Sequence, residues 1–159
     1  MPDAVTNVVI AGLGGQGVLK ASDILADAAF GAGLDVKKSE IHGMSQRGGS
    51  VTSDVRFGGE VLSPMVPTGE ADYLLVLAEG EVEANRRLLR DGGVLICPDA
   101  IDTTVLPHPR SLNVALLGLL SKHLPIDERH WLAAIAANLP EKVLDLNLRA
   151  FAMGRTAAP

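Results

Sequence analysis

The sequence predicts an α/β fold in three layers, with a mainly parallel sheet, an antiparallel hairpin and a helical C-terminal part. Continuous apolar runs of strand length occur at residues 4–12, 72–78 and 92–98. Runs without polar alternation are typical of parallel strands that are buried on both faces. An alternating segment at residues 50–57 interrupts the strand–helix order, and helical patterns dominate from residue 111 onward.

The first third of the chain predicts a β-turn-α-β unit. The run at 4–12 ends at a glycine, and a helix over residues 16–30 follows it, with Gly31 placed to cap its C-terminus. Small or apolar residues recur on this helix at helical spacing, namely Val18, Ala21, Leu25 and Ala28. Residues 34–41 predict the second strand, which completes the unit.

An alternating pattern at residues 50–57 predicts a strand with two different faces. One face carries Val51, Ser53, Val55 and Phe57, and the other carries Thr52, Asp54 and Arg56. The pair Gly58-Gly59 and the residues 60–62 after it predict the turn and return strand of a hairpin. An antiparallel element is therefore expected where a simple nucleotide-binding fold would place another helix.

The rest of the chain predicts mostly helices. A charged surface helix is expected at 79–90, an amphipathic one at 111–124, and two more at 126–139 and 141–154. Asp127 is the expected N-cap of the third of these, with Ile126 and Trp131 forming a hydrophobic staple. On the last helix, Asn147 shares an apolar stripe, so it is either hydrogen-bonded in the core or in contact with a partner chain.

Composition limits the classes of function. The 159 residues are expected to form one domain, 1–159, and the net charge of −5 without a basic cluster argues against nucleic acid and anionic membranes. The single cysteine, Cys97, can form no internal disulfide, and one thiolate cannot hold an iron–sulfur cluster. No signal peptide and no apolar run long enough to span a bilayer is evident, so we expect a cytoplasmic protein.

The segment "GLGGQG" at residues 12–17 predicts an anion-friendly turn. Its glycines stand at Gly12, Gly14, Gly15 and Gly17, with Gln16 among them, after a strand and before a helix. The helix N-terminus there offers unpaired N–H groups to an anion. The spacing also fits a dinucleotide site, for which Glu40 is the candidate ribose-binding acid. The alternative is that the glycines only let the helix pack close to the strand.

A second polar loop, "SEIHGMSQRGGSV" at residues 39–51, is the other candidate for a site. Its candidate residues are Glu40, His42, Ser45, Gln46, Arg47, Gly48 and Gly49. A histidine titrates near neutrality, and an arginine can grip a carboxylate or phosphate with two parallel hydrogen bonds. Both loops are expected at the C-terminal ends of parallel strands, where ligands usually bind. The alternative is a plain solvated loop. The three other histidines of the chain lack the spacing of metal ligands.

These residues together resemble a known family. The segments "GLGGQGVLKASDILADA", "SEIHGMSQRGGSVTSDVRFG", "SPMVPTGEADYLLVLAEGE" and "NLRAFAMG" occur in that order. They resemble the gamma subunit or domain of 2-oxoacid:ferredoxin oxidoreductases, most closely the small (beta) subunit of indolepyruvate ferredoxin oxidoreductases. The resemblance runs from about residue 8 to residue 154.

The resemblance implies a part in the oxidative decarboxylation of a 2-oxoacid, with indolepyruvate or another aryl pyruvate as substrate and an acyl-CoA and CO2 as products. It implies that thiamine diphosphate, Mg and iron–sulfur clusters belong to a larger partner subunit, that coenzyme A is a co-substrate and that ferredoxin accepts the electrons. This chain has no "GDG…N" segment of the kind that holds a metal diphosphate, so it is expected to bind none of these cofactors alone. Cofactors carry this chemistry, so the isolated chain should be inert.

Two other hypotheses remain open from the sequence. One is a stand-alone dinucleotide-binding protein with a Rossmann-like fold, built on the glycine turn and Glu40. The other is a purely structural assembly module, in which the loops contribute nothing to turnover.

Overall fold

A computed structural model describes residues 4–42 and 49–157, and of His42 only the backbone. The strands are β1 (Val5–Leu13), β2 (Asp35–His42), β3 (Ser50–Gly58), β4 (Ala71–Val76) and β5 (Leu89–Ile96). The α-helices are α1 (Val18–Gly31), α2 (Val82–Asn85), α3 (Leu112–Ser121), α4 (Glu128–Asn138) and α5 (Glu141–Thr156). Short 3-10 turns lie at Glu79–Glu81, Arg86–Leu88, Pro98–Ala100, Thr103–Val105 and Pro109–Ser111.

The sheet is mixed, with the strand order β2-β3-β1-β4-β5. β1, β4 and β5 are parallel, whereas β3 is antiparallel to both β1 and β2. Four strands therefore run in one direction and β3 runs against them, which confirms the predicted mainly parallel sheet with an antiparallel hairpin. β1 lies at the centre, and its middle residues, Val8 to Ala11, are fully buried as the apolar run predicts.

One face of the sheet, the helical face, is covered by α1, α3, α4 and α5. Val8 and Ile10 of β1 and Val55 and Phe57 of β3 pack there in the main apolar core. The predicted stripe of α1 is buried in the same core. Trp131 and Phe151 join α4 to α5, with ring centroids 5.8 Å apart. The four helices therefore seal this face with their own side chains.

The contact between α3 and α5 depends on two glycines. A Cβ atom at Gly154 would overlap the carbonyl oxygen of Ala115, and one at Gly118 would overlap the carbonyl oxygen of Phe151. The two helix backbones therefore touch. The prediction that the last helix ends at Gly154 is wrong, because α5 continues to Thr156 and uses this glycine for packing.

The opposite face, the open face, is covered by residues 59–70 and by the short elements between residues 79 and 88. Val66, Val82 and Leu88 pack there against Val9 and Leu74 in a second, smaller apolar cluster. Within the described residues, the only α-helix in this cluster is the four-residue α2. The third layer of the fold is therefore thin.

The predicted hairpin has a different partner strand. Residues 60–62 form no strand; instead β3 pairs with β2 over the whole of β2 and with β1 on its other side. The backbone N–H of Val61 donates to Asp35 Oδ2 at 2.7 Å, which ties the chain after β3 across the start of β2. The alternation itself is confirmed, since the apolar face of β3 lies in the helical-face core and Asp54 lies on the open face.

Other boundaries also depart from the prediction. The helix expected at 79–90 is broken into α2 and two 3-10 turns, because Leu89 already pairs with Ala71 in the sheet. The helix expected to be amphipathic, α3, is buried on all sides because it lies between the sheet, α1 and α5. The left-handed glycine after α1 is Gly33, with φ 88°, and Gly31 is the last helical residue.

The structure tests the predicted N-cap and hydrophobic staple of α4 and the predicted environment of Asn147. Asp127 stands at the N-cap of α4 but its side chain makes no capping hydrogen bond. Ile126 and Trp131 are buried in the same core, as expected for a staple. Asn147 Nδ2 donates to the carbonyl oxygen of Val143 at 2.9 Å, so this buried amide is satisfied within its own helix.

Candidate functional site

The glycine turn joins β1 to α1 and is closed by Gln16. Gln16 Oε1 accepts the backbone N–H of Leu13 at 2.7 Å, and its Nε2 lies 3.5 Å from the carbonyl oxygen of Leu77 after β4. Gly15 and Gly17 have φ of 88° and 85°, a left-handed conformation that favours glycine. The turn is therefore held by one side chain and shaped by two glycines.

The second anchor of the turn comes from the distant α3. Asn113 Nδ2 donates to the carbonyl oxygen of Gly17 at 3.2 Å, over a sequence separation of 96 residues. Asn113 Oδ1 accepts the backbone N–H of Val114 at 2.9 Å, so both ends of this buried amide are used. A Cβ atom at Gly17 would overlap the Asn113 amide, which makes glycine necessary there for space as well as for φ.

The glycine turn meets the second polar loop through their backbones. The N–H of Gly14 donates to the carbonyl oxygen of Gly49 at 2.8 Å. Val51 pairs with both Gly12 and His42, so the backbones of these two residues lie level on either side of β3. The described ends of both loops therefore converge at one edge of the sheet, as expected for loops that follow aligned strand ends.

The predicted site residues divide into three groups. The turn residues Gly12, Gly14, Gly15, Gln16 and Gly17 and the loop residue Gly49 lie together at this edge. The predicted residues Ser45, Gln46, Arg47 and Gly48, and the side chain of His42, lie outside the described residues. Glu40 is described, but it lies away from the turn.

The position of Glu40 does not favour a dinucleotide site. β3 lies between β1 and β2, so Glu40 is two strands, or about 10 Å, from β1. Glu40 is level with Ile10 rather than with the turn, since both pair with Ser53. Glu40 Oε1 also lies 3.2 Å from Lys38 Nζ, in an ion pair on the sheet. The glycine spacing therefore occurs here without the acid that would bind the ribose.

Lys38 is held between two carboxylates on the helical face. It contacts Asp23 of α1 and Glu40 of its own strand. Burial lowers the pKa of Lys38, but the hydrogen bonds and charges of Asp23 and Glu40 outweigh burial and raise it. Glu40 is therefore part of a strand–helix contact.

A cleft of about 380 Å³ lies beside the turn and has a cationic rim. Lys20 of α1 and Arg110 of the 3-10 turn before α3 line it, together with Gly15, Gln16, Gly17 and Asn113. The N-terminus of α1 has no side-chain cap and no acidic residue in its first turn. Its first N–H groups lack intrahelical partners, and its dipole attracts negative charge. The cleft is thus suited to an anionic group of a ligand.

A group of potential metal ligands lies after β4 and β5. Glu79, Cys97 and Asp99 each offer one atom, and these atoms lie within 4.8 Å of one another. Cys97 Sγ lies 2.9 Å from Asp99 Oδ1. Burial, and next the hydrogen bond to Asp99, raise the pKa of the Cys97 thiol to about 12. The free thiol therefore stays protonated at neutral pH.

The sequence interpretation missed Asn113 and Arg110. Neither belongs to a local motif, because each reaches the turn only through the packing of α3 against α1. One sequence signal was present, because Asn113 is a polar residue at the start of an otherwise apolar helix. The same kind of pattern, a polar residue on an apolar helix face, singles out Asn147. His108 caps its own 3-10 turn, since its Nδ1 accepts the N–H of Arg110 at 3.0 Å.

The described helices are all too short or too polar to cross a bilayer.

Comparison with known proteins identifies the family. Residues 7–110 match the family "Pyruvate ferredoxin/flavodoxin oxidoreductase". The indolepyruvate oxidoreductase subunit IorB of Thermococcus kodakarensis is 33% identical, over 96% of this chain and 95% of that protein. The resemblance noted in the sequence is thereby confirmed.

Solved structures share the fold. The gamma subunit of a keto/oxoacid ferredoxin oxidoreductase from Geobacter sulfurreducens superposes with a TM-score of 0.77 and 23% identity, covering 95% of this chain and 94% of that one. A 2-oxoglutarate:ferredoxin oxidoreductase from Magnetococcus marinus, solved with 2-oxoglutarate, coenzyme A and succinyl-CoA bound, gives a TM-score of 0.81 at 24% identity, covering 95% of this chain but 30% of that one. The chain thus belongs to the pyruvate ferredoxin/flavodoxin oxidoreductase family, whose relatives act as subunits of 2-oxoacid oxidoreductases.

Proposed function

We propose that this chain is the small subunit of a cytoplasmic, thiamine-dependent oxidoreductase that converts indolepyruvate or another aryl pyruvate to an acyl-CoA and CO2 and passes the electrons to ferredoxin. The observation that carries this proposal is the match to an indolepyruvate oxidoreductase subunit over nearly the full length of both chains. The chain acts as one domain, and its larger partner supplies thiamine diphosphate, Mg and the iron–sulfur clusters.

The residues of this chain do not fit those cofactors by themselves. An iron–sulfur cluster needs several thiolates, and the chain has one cysteine. Thiamine diphosphate would supply the carbanion chemistry of the decarboxylation when bound in the complex. The contribution of this chain is to bind and orient part of a ligand at the boundary with its partner.

The cleft beside the glycine turn is the part of this chain that we propose for ligand binding. It is lined by Lys20, by Arg110 and by Gly17, the residue at the uncapped N-terminus of α1. Such a site would bind the phosphate groups of coenzyme A or the carboxylate of the 2-oxoacid. His42, Ser45, Gln46 and Arg47 belong, in this proposal, to the loop next to the cleft.

Reconstitution tests the function. The chain and the larger subunit are purified separately, and indolepyruvate-dependent reduction of ferredoxin is measured with coenzyme A present. We expect no turnover with either subunit alone and turnover with the mixture. Oxidation of the 2-oxoacid by this chain alone, or a stable mixture without activity on any aryl pyruvate, would contradict the proposal.

Charge removal tests the cleft. In the reconstituted complex, Lys20→Gln and Arg110→Gln should raise the KM for coenzyme A or for the 2-oxoacid by about tenfold each, because each loses about 1.4 kcal/mol of charge-assisted binding. Lys142→Gln, at an exposed position on α5, is the matched control and should leave KM unchanged. Unchanged KM values in both cleft variants would remove the cleft from the proposal while leaving the subunit assignment in place.

A further inference from the structure

The open face carries a groove that the proposed ligand site does not use. Its volume is about 460 Å³, and its lining includes Val9, Ile41, Asp54, Met65, Val66 and Arg87. We call it the open-face groove. It lies on the side of the sheet away from α1, α3, α4 and α5, since Val9 and Val66 belong to the open-face cluster.

Apolar side chains in this groove are unusually accessible. Ile41 is 50% exposed at the end of β2, and Met65 is 55% exposed on the segment that crosses β3. Both belong to residue types that normally lie in cores. Leu62, on the same crossing segment, is 85% exposed. Exposed apolar side chains that share one concave surface are typical of a protein-binding site.

Asp54 gives the groove a specific polar anchor. It is 8% exposed, and its Oδ2 accepts the backbone N–H of Val66 at 2.9 Å. Among the described residues, the hydrogen bond from Val66 is the one that the Asp54 side chain makes. Burial raises the pKa of Asp54, and it outweighs the hydrogen bond from Val66 and the charge of Arg56, which both lower this pKa. Arg87 on the rim donates to the carbonyl oxygen of Ala84. Asp54 lines the groove, so its carboxylate can accept a hydrogen bond from an occupant that brings a donor.

The likeness to a longer chain indicates what that occupant is. In the Magnetococcus marinus structure this fold forms only 30% of a chain, whereas here it corresponds to nearly the whole length of a separate relative. If the rest of such a longer chain packs on this domain, a second polypeptide has to make the corresponding contact when the domain is a separate chain. The core of the helical face is closed by this chain's own helices, although Phe30 and Leu132 are exposed on them. The open face is favoured for that contact because its exposed apolar side chains Ile41 and Met65 line a common groove.

We propose that the open-face groove receives a segment of the larger subunit in which an apolar side chain packs on Ile41 and Met65 and a basic or amide donor reaches Asp54. This inference rests on the proposed function for the existence of the partner. Beyond that function, it names the surface through which the partner binds and the kinds of side chain that the partner's segment carries. Ile41 and Ser50 belong to the two described parts of the second polar loop and both line the groove, so the same contact would touch this loop on both sides.

The test is the affinity of the purified chain for the purified larger subunit. Met65→Arg should weaken binding at least tenfold, because it places a charge in an apolar contact. Asp54→Asn should weaken binding by about tenfold, because it removes the charge that faces the donor. Val105→Arg is the matched control: Val105 is 61% exposed, lies outside the groove, and should bind like the wild type. Thermal unfolding establishes that each variant is folded.

A second readout requires no variant. Mild peroxide treatment should oxidise Met65 readily in the free chain and much more slowly in the complex, whereas Met153 on α5 should react equally in both. If the wild type does not bind the larger subunit, the proposed function itself fails. If the wild type binds, but Met65→Arg binds equally well and Met65 is not protected, the partner uses another face and the inference is overturned.

Discussion

The two faces of the sheet differ in how completely this chain covers them. On the helical face, four helices bury one continuous apolar core that includes Trp131, Phe151 and the centre of β1. On the open face, a crossing loop and short helical elements cover a smaller cluster and leave Ile41 and Met65 exposed in a groove. The difference indicates a division of roles, in which one face stabilises the domain and the other is available to a partner.

The largest expected effect is the difference in stability loss when one leucine of the helical-face core and one leucine of the segment over the open face are replaced by alanine. Leu117→Ala on α3 should destabilise the protein by about 3 kcal/mol, because it leaves a cavity at a fully buried position. Leu62→Ala, at an 85% exposed position, should change stability by less than about 0.5 kcal/mol. Denaturant unfolding measures both. Equal losses would mean that the open face contributes to the fold as much as the helical face does.

The contact of α3 with α5 should be the next most sensitive feature. Gly154→Ala should cost about 2–3 kcal/mol, because the added methyl group forces the helix backbones apart at Ala115. Gly80→Ala is the control, since a Cβ atom there meets nothing within 4 Å. If both variants unfold at the wild-type temperature, the helices do not pack at backbone distance.

Gln16, which closes the glycine turn, should contribute less to stability than the contact of α3 with α5 does. Gln16→Ala should cost about 1–2 kcal/mol, because the N–H of Leu13 loses its acceptor. Gln16→Glu keeps an acceptor for that N–H and should lose less. Calorimetry of the two variants tests the order, and an alanine variant as stable as the glutamate variant would show that the side chain does not close the turn.

The smallest expected effect is a pH dependence on the open face. Burial raises the pKa of Asp54 above its ordinary 3.8, so the folded state holds this proton more tightly than the unfolded state does. The free energy of unfolding should therefore fall as the pH rises from 3.8 through the pKa of Asp54 in the folded state. Above that pKa, Asp54 is ionised in both states and the loss of stability is complete. Unfolding of the wild type and Asp54→Asn at several pH values measures this difference.

Asp91→Asn, at an exposed position on β5, is the control for the same substitution away from the groove. A stability difference between the wild type and Asp54→Asn that does not change with pH would contradict the burial of this carboxyl.

Local patterns in the sequence predicted local structure well. The apolar run of β1, the stripe of α1 and the alternation of β3 are all confirmed, because each depends on neighbours within a few turns or residues. The glycine turn was predicted from its spacing and position between a strand and a helix. Its residues do lie at the sheet edge where the second loop begins.

Features that depend on distant parts of the chain could not be predicted in the same way. The insertion of β3 between β1 and β2 moves Glu40 away from the turn, although the local motif suggested a ribose site. The bond from Asn113 to Gly17 and the overlap at Gly154 join residues that are far apart in sequence. The residue spacing of a motif carries no information about which strand pairs beside it or which helix packs on it.

Amide hydrogen exchange of the free chain and of its complex with the larger subunit tests the division between the two faces most directly. We predict that complex formation slows exchange in residues 59–70 and 79–88, and that exchange in α3 and α5 stays unchanged because those helices are already closed by their own core. Slower exchange confined to α3 and α5, with residues 59–70 and 79–88 unaffected, would contradict this account.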